Sequence, residues 1–456
     1  MLIDLSYLRY PLPPDVQRLF EAGEFAHMER VITKRLADPR TPEALKKRMT
    51  FQLAIAQQLP RDYPHTRSAL LKRLQETIAD FKPEELDELR DDGTLDWRFI
   101  EGELRFKSDA VSNLRKTRKE YEDRIINREY VAQRKKEKAE LDACIARMKQ
   151  NGHARAKFTL HEEITVDSAL LTPGETIRMH LPLPVVGNQV VRAKLLHTSH
   201  TPVSIAPEDH TSRTAFFELP YQPGMTVSAE FEYEIDAPYV SPDPAGVSAI
   251  QPDFCTGEEE PHVVFTPYIR ALTKEIIGNE RNPLIKARKI YDFITTQCLY
   301  RFMPAYTTVP NIPEYFLTGQ RGDCGVHAIS FITLCRCAGI PAMWQAGLYT
   351  CPGDVGNHDW AMFYVVPYGW LYCDCSFGGS AYEAGAEERR DFYFTNLEPW
   401  RLPLCFGFQE AFDGPRKFLR YDPYDNQNGE VETLNRRLER REYSVDNWLV
   451  SYEEMN

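Results

Sequence analysis

The sequence predicts an α+β protein of several domains, and three observations carry that prediction. Residues 14 to about 90 repeat apolar positions at helical spacing, residues 154 to 237 switch to a period of two, and residues 324 to 374 read as helix, strand, turn, strand. The chain of 456 residues has room for about three domains, each with its own core. With 43% hydrophobic and 27% charged residues it has the composition of a folded globular protein, which excludes a disordered chain.

Residues 1–150 are read as mainly helical. Val16, Leu19 and Phe20 mark one segment, Ala44, Met49, Leu53 and Ala54 a second, and Ala69, Leu70, Leu74 and Ile78 a third, punctuated by Pro14, Pro39, Pro60 and Pro83. Trp97 to Phe106 alternates around Glu101-Gly102 and predicts a hairpin. Lys107 to Gln150 is densely charged and almost free of Gly and Pro, the pattern of one long helix or a helix pair with a narrow apolar stripe, ended by Asn151-Gly152. The basic run at 134–138 has acids interleaved and reads as a solvated helix face. A net charge of −12 also argues against a nucleic-acid partner.

Residues 154–237 predict an antiparallel β-sandwich of roughly six to eight strands. Met225, Val227, Ala229, Phe231, Tyr233 and Ile235 alternate with Thr226, Ser228, Glu230, Glu232 and Glu234, so one face is buried and the other wet. Pro173-Gly174 and Pro223-Gly224 are turn signals, and His197, His200 and His210 lack a metal-ligand spacing. A proline-rich linker is expected over 238–260, a catalytic domain over 261–410 and a C-terminal extension over 411–456.

The chemistry concentrates in Gly322-Asp323-Cys324-Gly325-Val326-His327, in His358-Asp359-Trp360 and in Tyr372-Cys373-Asp374. An ordered Cys, His, Asp series is what acyl transfer by a cysteine nucleophile requires. Cys324, Ala328, Phe331, Ile332, Cys335 and Ala338 recur at helical spacing, so Cys324 is expected in the first turn of a helix capped by Asp323 and stopped by Gly339 and Pro341. Unpaired N–H groups and the positive dipole end there favour the reactive thiolate. His358 to Val366 and Trp370 to Asp374 read as two strands of a hairpin. His358 and Asp374 are sixteen positions apart, so both side chains can share one face. For them to stand directly opposite, the hairpin must centre on Val366, whereas Pro367 to Gly369 centre two positions later, so a bulge or skewed register is expected. His327, one turn along from Cys324, is a rival base, but one attached so close to the nucleophile is hard for a separate carboxylate to orient. Gln320 is a candidate second oxyanion donor beside the Cys324 N–H, and Trp344, Tyr349 and Trp360 are candidate walls of an acyl groove.

These residues resemble the transglutaminase-like superfamily, whose core is a papain-like cysteine fold. The matching stretches are Gly322-Asp323-Cys324, Ala338 to Gly347, His358-Asp359-Trp360 and Pro367 to Asp374. Phe392 to Leu397 and Asp422-Pro423-Tyr424-Asp425-Asn426-Gln427 are similar to the bacterial cytosolic branch that carries a β-rich domain before the catalytic core. The resemblance implies Cys324 as nucleophile, His358 as base and acid, and Asp374 as the orienting residue. It departs where the family has an apolar residue and a proline around the aspartate, since here Asp374 lies between Cys373 and Cys375. The expected substrate is a peptide or protein amide, split by hydrolysis. An amine-accepting transferase and a non-catalytic scaffold are the alternatives.

No cofactor and no metal are implied. Cys335 and Cys337 point to different sides of a helix, and Cys373 and Cys375 are better explained as core. Met1 to Tyr10 has neither a basic n-region nor an uninterrupted apolar core, so a signal peptide is not expected. No apolar run reaches membrane-spanning length, so no membrane partner is expected. Ten irregularly spaced cysteines fit a reducing compartment, with the cytoplasm as the default. The pattern does not speak to oligomeric state.

Overall fold

A computed structural model describes residues 5–455. The first four residues of the N-terminal run, Met1 to Asp4, and Asn456 lie outside the described residues.

Residues 342–406 hold a five-stranded antiparallel sheet with helices against it. Its order is Phe394–Thr395, Gly369–Cys373, Asp354–Val365, Ala342–Cys351, Arg401–Phe406. The helix Cys324–Cys337 packs on the two central strands, and Pro283–Gln297, Pro267–Ile277 and Ile312–Gly319 pack around it. It is buried along Val326, Ala328, Ile329, Phe331, Ile332 and Leu334, which explains why its sequence lacks the polar stripe of a surface helix.

Upstream lie two four-stranded antiparallel sheets. One runs Glu430–Thr433, Thr176–Pro182, Thr214–Pro220, Ser204–Ile205, and the other Tyr443–Met455, His153–Val166, Met225–Pro238, Val190–Thr198. Ile177, Met179, Val227, Ala229, Phe231 and Tyr233 from the two sheets enter one continuous core with the five-stranded sheet and its helices. The segment 411–456, read from sequence as an extension, supplies an outer strand to each sheet. Its strand Tyr443–Met455 leaves Trp448 and Val450 exposed, so it lacks the one-sided apolar alternation that marks a strand in sequence.

Among residues 5–150, Leu5, Val16, Phe25, Met28, Ile32, Met49, Ile55, Cys144 and Met148 join the main core, whereas Leu70, Leu74, Ile78, Leu86, Phe106, Leu114 and Tyr121 form a second, separate one. The hairpin Trp97–Ile100 and Glu103–Phe106 is extended to a three-stranded sheet by His65–Thr66. The charged stretch after it is broken into Ala110–Thr117, a 3-10 turn Lys119–Arg124 and Arg128–Asn151, the last ended by Gly152 at φ 79°.

Candidate active site

Cys324 opens its helix as the spacing predicts, with Asp323 as N-cap accepting from Val326 N at 3.2 Å. The cap is itself held, because the Tyr306 hydroxyl donates to the same Asp323 oxygen. Gly325 is required here, since a Cβ would fall 2.3 Å from the Tyr306 hydroxyl and 2.8 Å from Asp359 Oδ2.

His358 and Asp374 meet, but by a different route from the one the spacing suggested. The strands pair Ala361 with Cys373 through Val365 with Gly369, a regular ladder symmetric about Pro367. Asp374 therefore stands across from Trp360, two residues from His358, and the contact is diagonal with no bulge needed. Asp374 has already left the strand to cap the next helix, Cys375–Glu383, through Phe377 N. His358 Nε2 lies 2.7 Å from Asp374 Oδ2. No hydrogen bond engages Nδ1 among the described residues.

The Asp374 carboxylate is buried and fully used. Oδ2 also accepts from Arg401 Nη1 at 2.8 Å, while Oδ1 accepts from Ser376 Oγ and Phe377 N, each at 2.9 Å. Burial alone raises its pKa, but the His358 and Arg401 charges and these donors prevail and hold it well below the ordinary carboxylate range. Arg401 is buried too, bonded to Glu398 and ringed by Phe377, Tyr349 and Trp360. Burial pulls the His358 imidazole below its usual pKa, against the opposing pull of Asp374. Burial thus favours the neutral imidazole, the form a base needs.

The electrostatics at Cys324 overturn one expectation. Burial, then the Asp359 and Asp323 carboxylates, push the thiol well above its ordinary pKa, while Lys116 and the Asp359 backbone pull the other way. A helix N-terminus is worth ~0.3–1 kcal/mol, and the desolvation of this half-buried thiol together with the two facing carboxylates outweighs it. The thiol donates to Asp359 Oδ2 at 3.4 Å, and no hydrogen bond joins it to His358 among the described residues. The two side chains line adjacent cavities. Cys324 faces one of about 380 Å³ with Asp323, Asp359, Asp422 and Asp425, and His358 faces one of about 190 Å³ with Lys116, Tyr349 and Phe377; Tyr300 and Asn357 border both.

The remaining sequence candidates separate. Tyr349 lines the His358 cavity. Trp344 and Trp360 do not line either cavity; both are buried core, Trp344 against Phe408 and Trp360 bonded to Gln345. Their aromatic size, which suggested a groove, serves packing instead. Gln320 does not line the Cys324 cavity but is exposed, a left-handed cap at φ 52° whose carbonyl accepts from Leu299 N. His327 is buried with Nδ1 2.8 Å from the Asp323 carbonyl, between Tyr300 and Phe316, and burial lowers its pKa to about 4. The Cys373 and Cys375 sulfurs lie 3.7 Å apart in the core.

Sequence reading passed over Asp359, Arg401 and Gln427. Asp359 and Arg401 carried a signal: a lone charge opening or interrupting an apolar strand, as in His358-Asp359-Trp360 and Trp400-Arg401-Leu402, rarely enters a core unpaired, whereas neutral Gln427 in a polar run carried none.

With this geometry in view, the comparisons with known proteins are specific about one segment. Residues 270–375 match the transglutaminase-like superfamily core. That segment is a transglutaminase-like superfamily domain. It holds Cys324, His358 and Asp374. Among solved structures, a candidate cysteine protease from Cytophaga hutchinsonii is 13% identical, with a TM-score of 0.40 over 67% of this chain and 91% of that one. The periplasmic domain of TgpA from Pseudomonas aeruginosa is 16% identical, with a TM-score of 0.28 over 54% of this chain and 95% of that one. No curated protein sequence matches the chain.

Proposed function

We propose that the protein is a cysteine-nucleophile enzyme that cleaves peptide or amide bonds through a thioester. The observation that carries this reading is the buried, ionised Asp374 bonded to His358 Nε2 at 2.7 Å, which fixes the imidazole tautomer and leaves Nδ1 to act. In the proposed reaction Cys324 Sγ attacks the amide carbonyl as its proton passes to His358 Nδ1. The Cys324 backbone N–H steadies the oxyanion. The C–N bond then breaks, the leaving amine takes the proton from His358, and the thioester remains. Water attacks it, giving its proton to His358, and the freed thiolate recovers that proton as the acid leaves.

A neutral thiol and a neutral imidazole suit this order of events, since no standing ion pair is held in a cavity lined by carboxylates. Gln58, Asp62, Lys107 and Ser108 line the Cys324 cavity, and Lys116, Arg134, Glu137 and Lys138 line that of His358. The N-terminal region thus supplies walls on both sides, and we assign it the selection of substrate. We read the two upstream sheets as the layers of a β-sandwich that buttresses the core. All ten cysteines are free, which supports a cytoplasmic location, and no described helix is long and apolar enough to cross a membrane.

The carboxylates around Cys324 are an observation in favour of a second reading, in which a cationic amine enters the cavity, loses its proton and resolves the thioester. Incubation with a glutamine-containing peptide, with and without a labelled primary amine, separates the two. Release of free acid with no label incorporated supports hydrolysis. Label incorporation supports transfer, and no turnover of any peptide amide by the full chain overturns both.

A further inference from the structure

The segment Asp422 to Gln427 reaches the site through its last residue. Gln427 is buried, and its Nε2 donates to Asp359 Oδ1 at 2.6 Å and to the His358 carbonyl at 3.0 Å. Its neighbour Asn426 donates to the Arg213 carbonyl, just before the strand Thr214–Pro220, and to the Leu404 carbonyl within the strand Arg401–Phe406, which anchors the segment. Gln427 thus fixes the rotation of the Asp359 carboxylate, whose other oxygen accepts the Cys324 thiol. His358 and Asp359 are consecutive in one strand, so their side chains leave opposite faces. A thiol turned to one is turned from the other.

We propose that Asp359, clamped by Gln427, is a positioning residue that holds Cys324 as a thiol turned away from His358 until a substrate N–H or ammonium group takes the Asp359 oxygen. Loss of that hydrogen bond frees the thiol to turn from the Asp359 oxygen. The release step rests on the catalytic reading above; the resting contact does not. It gives the acid-lined cavity a purpose: substrates carrying a hydrogen-bond donor or a positive charge beside the scissile amide both bind there and free the nucleophile. The groups that face Cys324 are Asp359 from the His358 strand, Asp323 with Tyr306 behind it from the helix cap, Tyr300 from the preceding strand, Lys116 from the N-terminal region, and across the cavity Asp422 and Asp425 of the Gln427 segment. Of these, Asp359 both accepts the thiol and is itself held by another side chain, Gln427.

The test is the pH dependence of iodoacetamide alkylation at Cys324 in the full chain, read by peptide mass spectrometry, for wild type, Asp359→Asn and Gln427→Ala. Replacing the Asp359 carboxylate that accepts the thiol lowers the alkylation midpoint by on the order of 1 pH unit, and raises the rate at neutral pH about tenfold. Gln427→Ala moves it the same way by less, because the carboxylate is then free to rotate. A midpoint unchanged or raised in a folded Asp359→Asn protein overturns the proposal. If that variant fails to fold, a Gln427→Ala midpoint below wild type supports it, and one at or above wild type overturns it. Failure of the catalytic reading shows elsewhere, as Cys324→Ala retaining activity on a peptide amide.

Discussion

Asp374→Asn is the most informative single substitution in the site. Its carboxylate accepts four hydrogen bonds, from His358 Nε2, Arg401 Nη1, Ser376 Oγ and Phe377 N, at 2.7–2.9 Å. An asparagine has one oxygen, so its NH₂ must face either His358 and Arg401 or Ser376 and Phe377, setting donor against donor. Removing one partner of a buried ion pair costs ~3–5 kcal/mol. Loss of the imidazole tautomer costs in addition ~10²–10⁴-fold in rate. The pH dependence has a definite sign. The folded-state pKa of Asp374 is depressed, so its contribution to stability is present above the ordinary aspartate value of about 3.9 and is lost as pH falls through the folded value. Denaturation by urea from pH 7 down to pH 3 should show wild type weakening with acid while the Asn variant, already weakened, changes less. A variant with wild-type stability and wild-type kcat/KM on a peptide amide would refute the role of the carboxylate in both.

Other outcomes follow from the same contacts. Arg401→Met leaves Glu398 buried and unpaired, so the melting midpoint falls by the equivalent of ~3–5 kcal/mol, and adding Glu398→Gln recovers part of it; no recovery contradicts the pairing. Gly325→Ala drives a Cβ to 2.3 Å from the Tyr306 hydroxyl and 2.8 Å from Asp359 Oδ2, costing ~1–3 kcal/mol in urea unfolding and shifting the Cys324 alkylation profile. Glu162 is fully buried with neither oxygen bonded, and burial pushes its pKa well above the usual value. Its proton is held more tightly in the folded state, so this part of stability is complete below about pH 4.3 and is lost as pH rises through the folded value, at up to ~1.4 kcal/mol per unit. Glu162→Gln should therefore melt higher than wild type at pH 8 and equal it near pH 4.

The local parts of the site were legible in sequence because they depend on local chemistry. Asp323 before an apolar helical repeat announced the cap that presents Cys324, and Pro367-Tyr368-Gly369 between aromatic strands announced the hairpin. Its register was not legible to one residue. The turn sits at Pro367, and the two reactive side chains meet diagonally because Asp374 bends out of its strand to cap a helix. Asp359, Arg401 and Gln427 were missed because their partners lie 35, 27 and 68 residues away, where no period connects them. The outer strands at Glu430–Thr433 and Tyr443–Met455 were missed for the same reason, since a strand at a sheet edge takes its order from the neighbour it pairs with.

The central claim is that Cys324 is the nucleophile and His358 its base. Its most direct test is covalent labelling by a peptide electrophile that mimics an amide, followed by intact mass and adduct mapping for wild type, Cys324→Ala and His358→Ala. The account predicts one adduct per wild-type chain at Cys324, none in Cys324→Ala, and labelling slowed by about 10²-fold or more in His358→Ala. An adduct formed equally well by Cys324→Ala, or at an undiminished rate by His358→Ala, would contradict it.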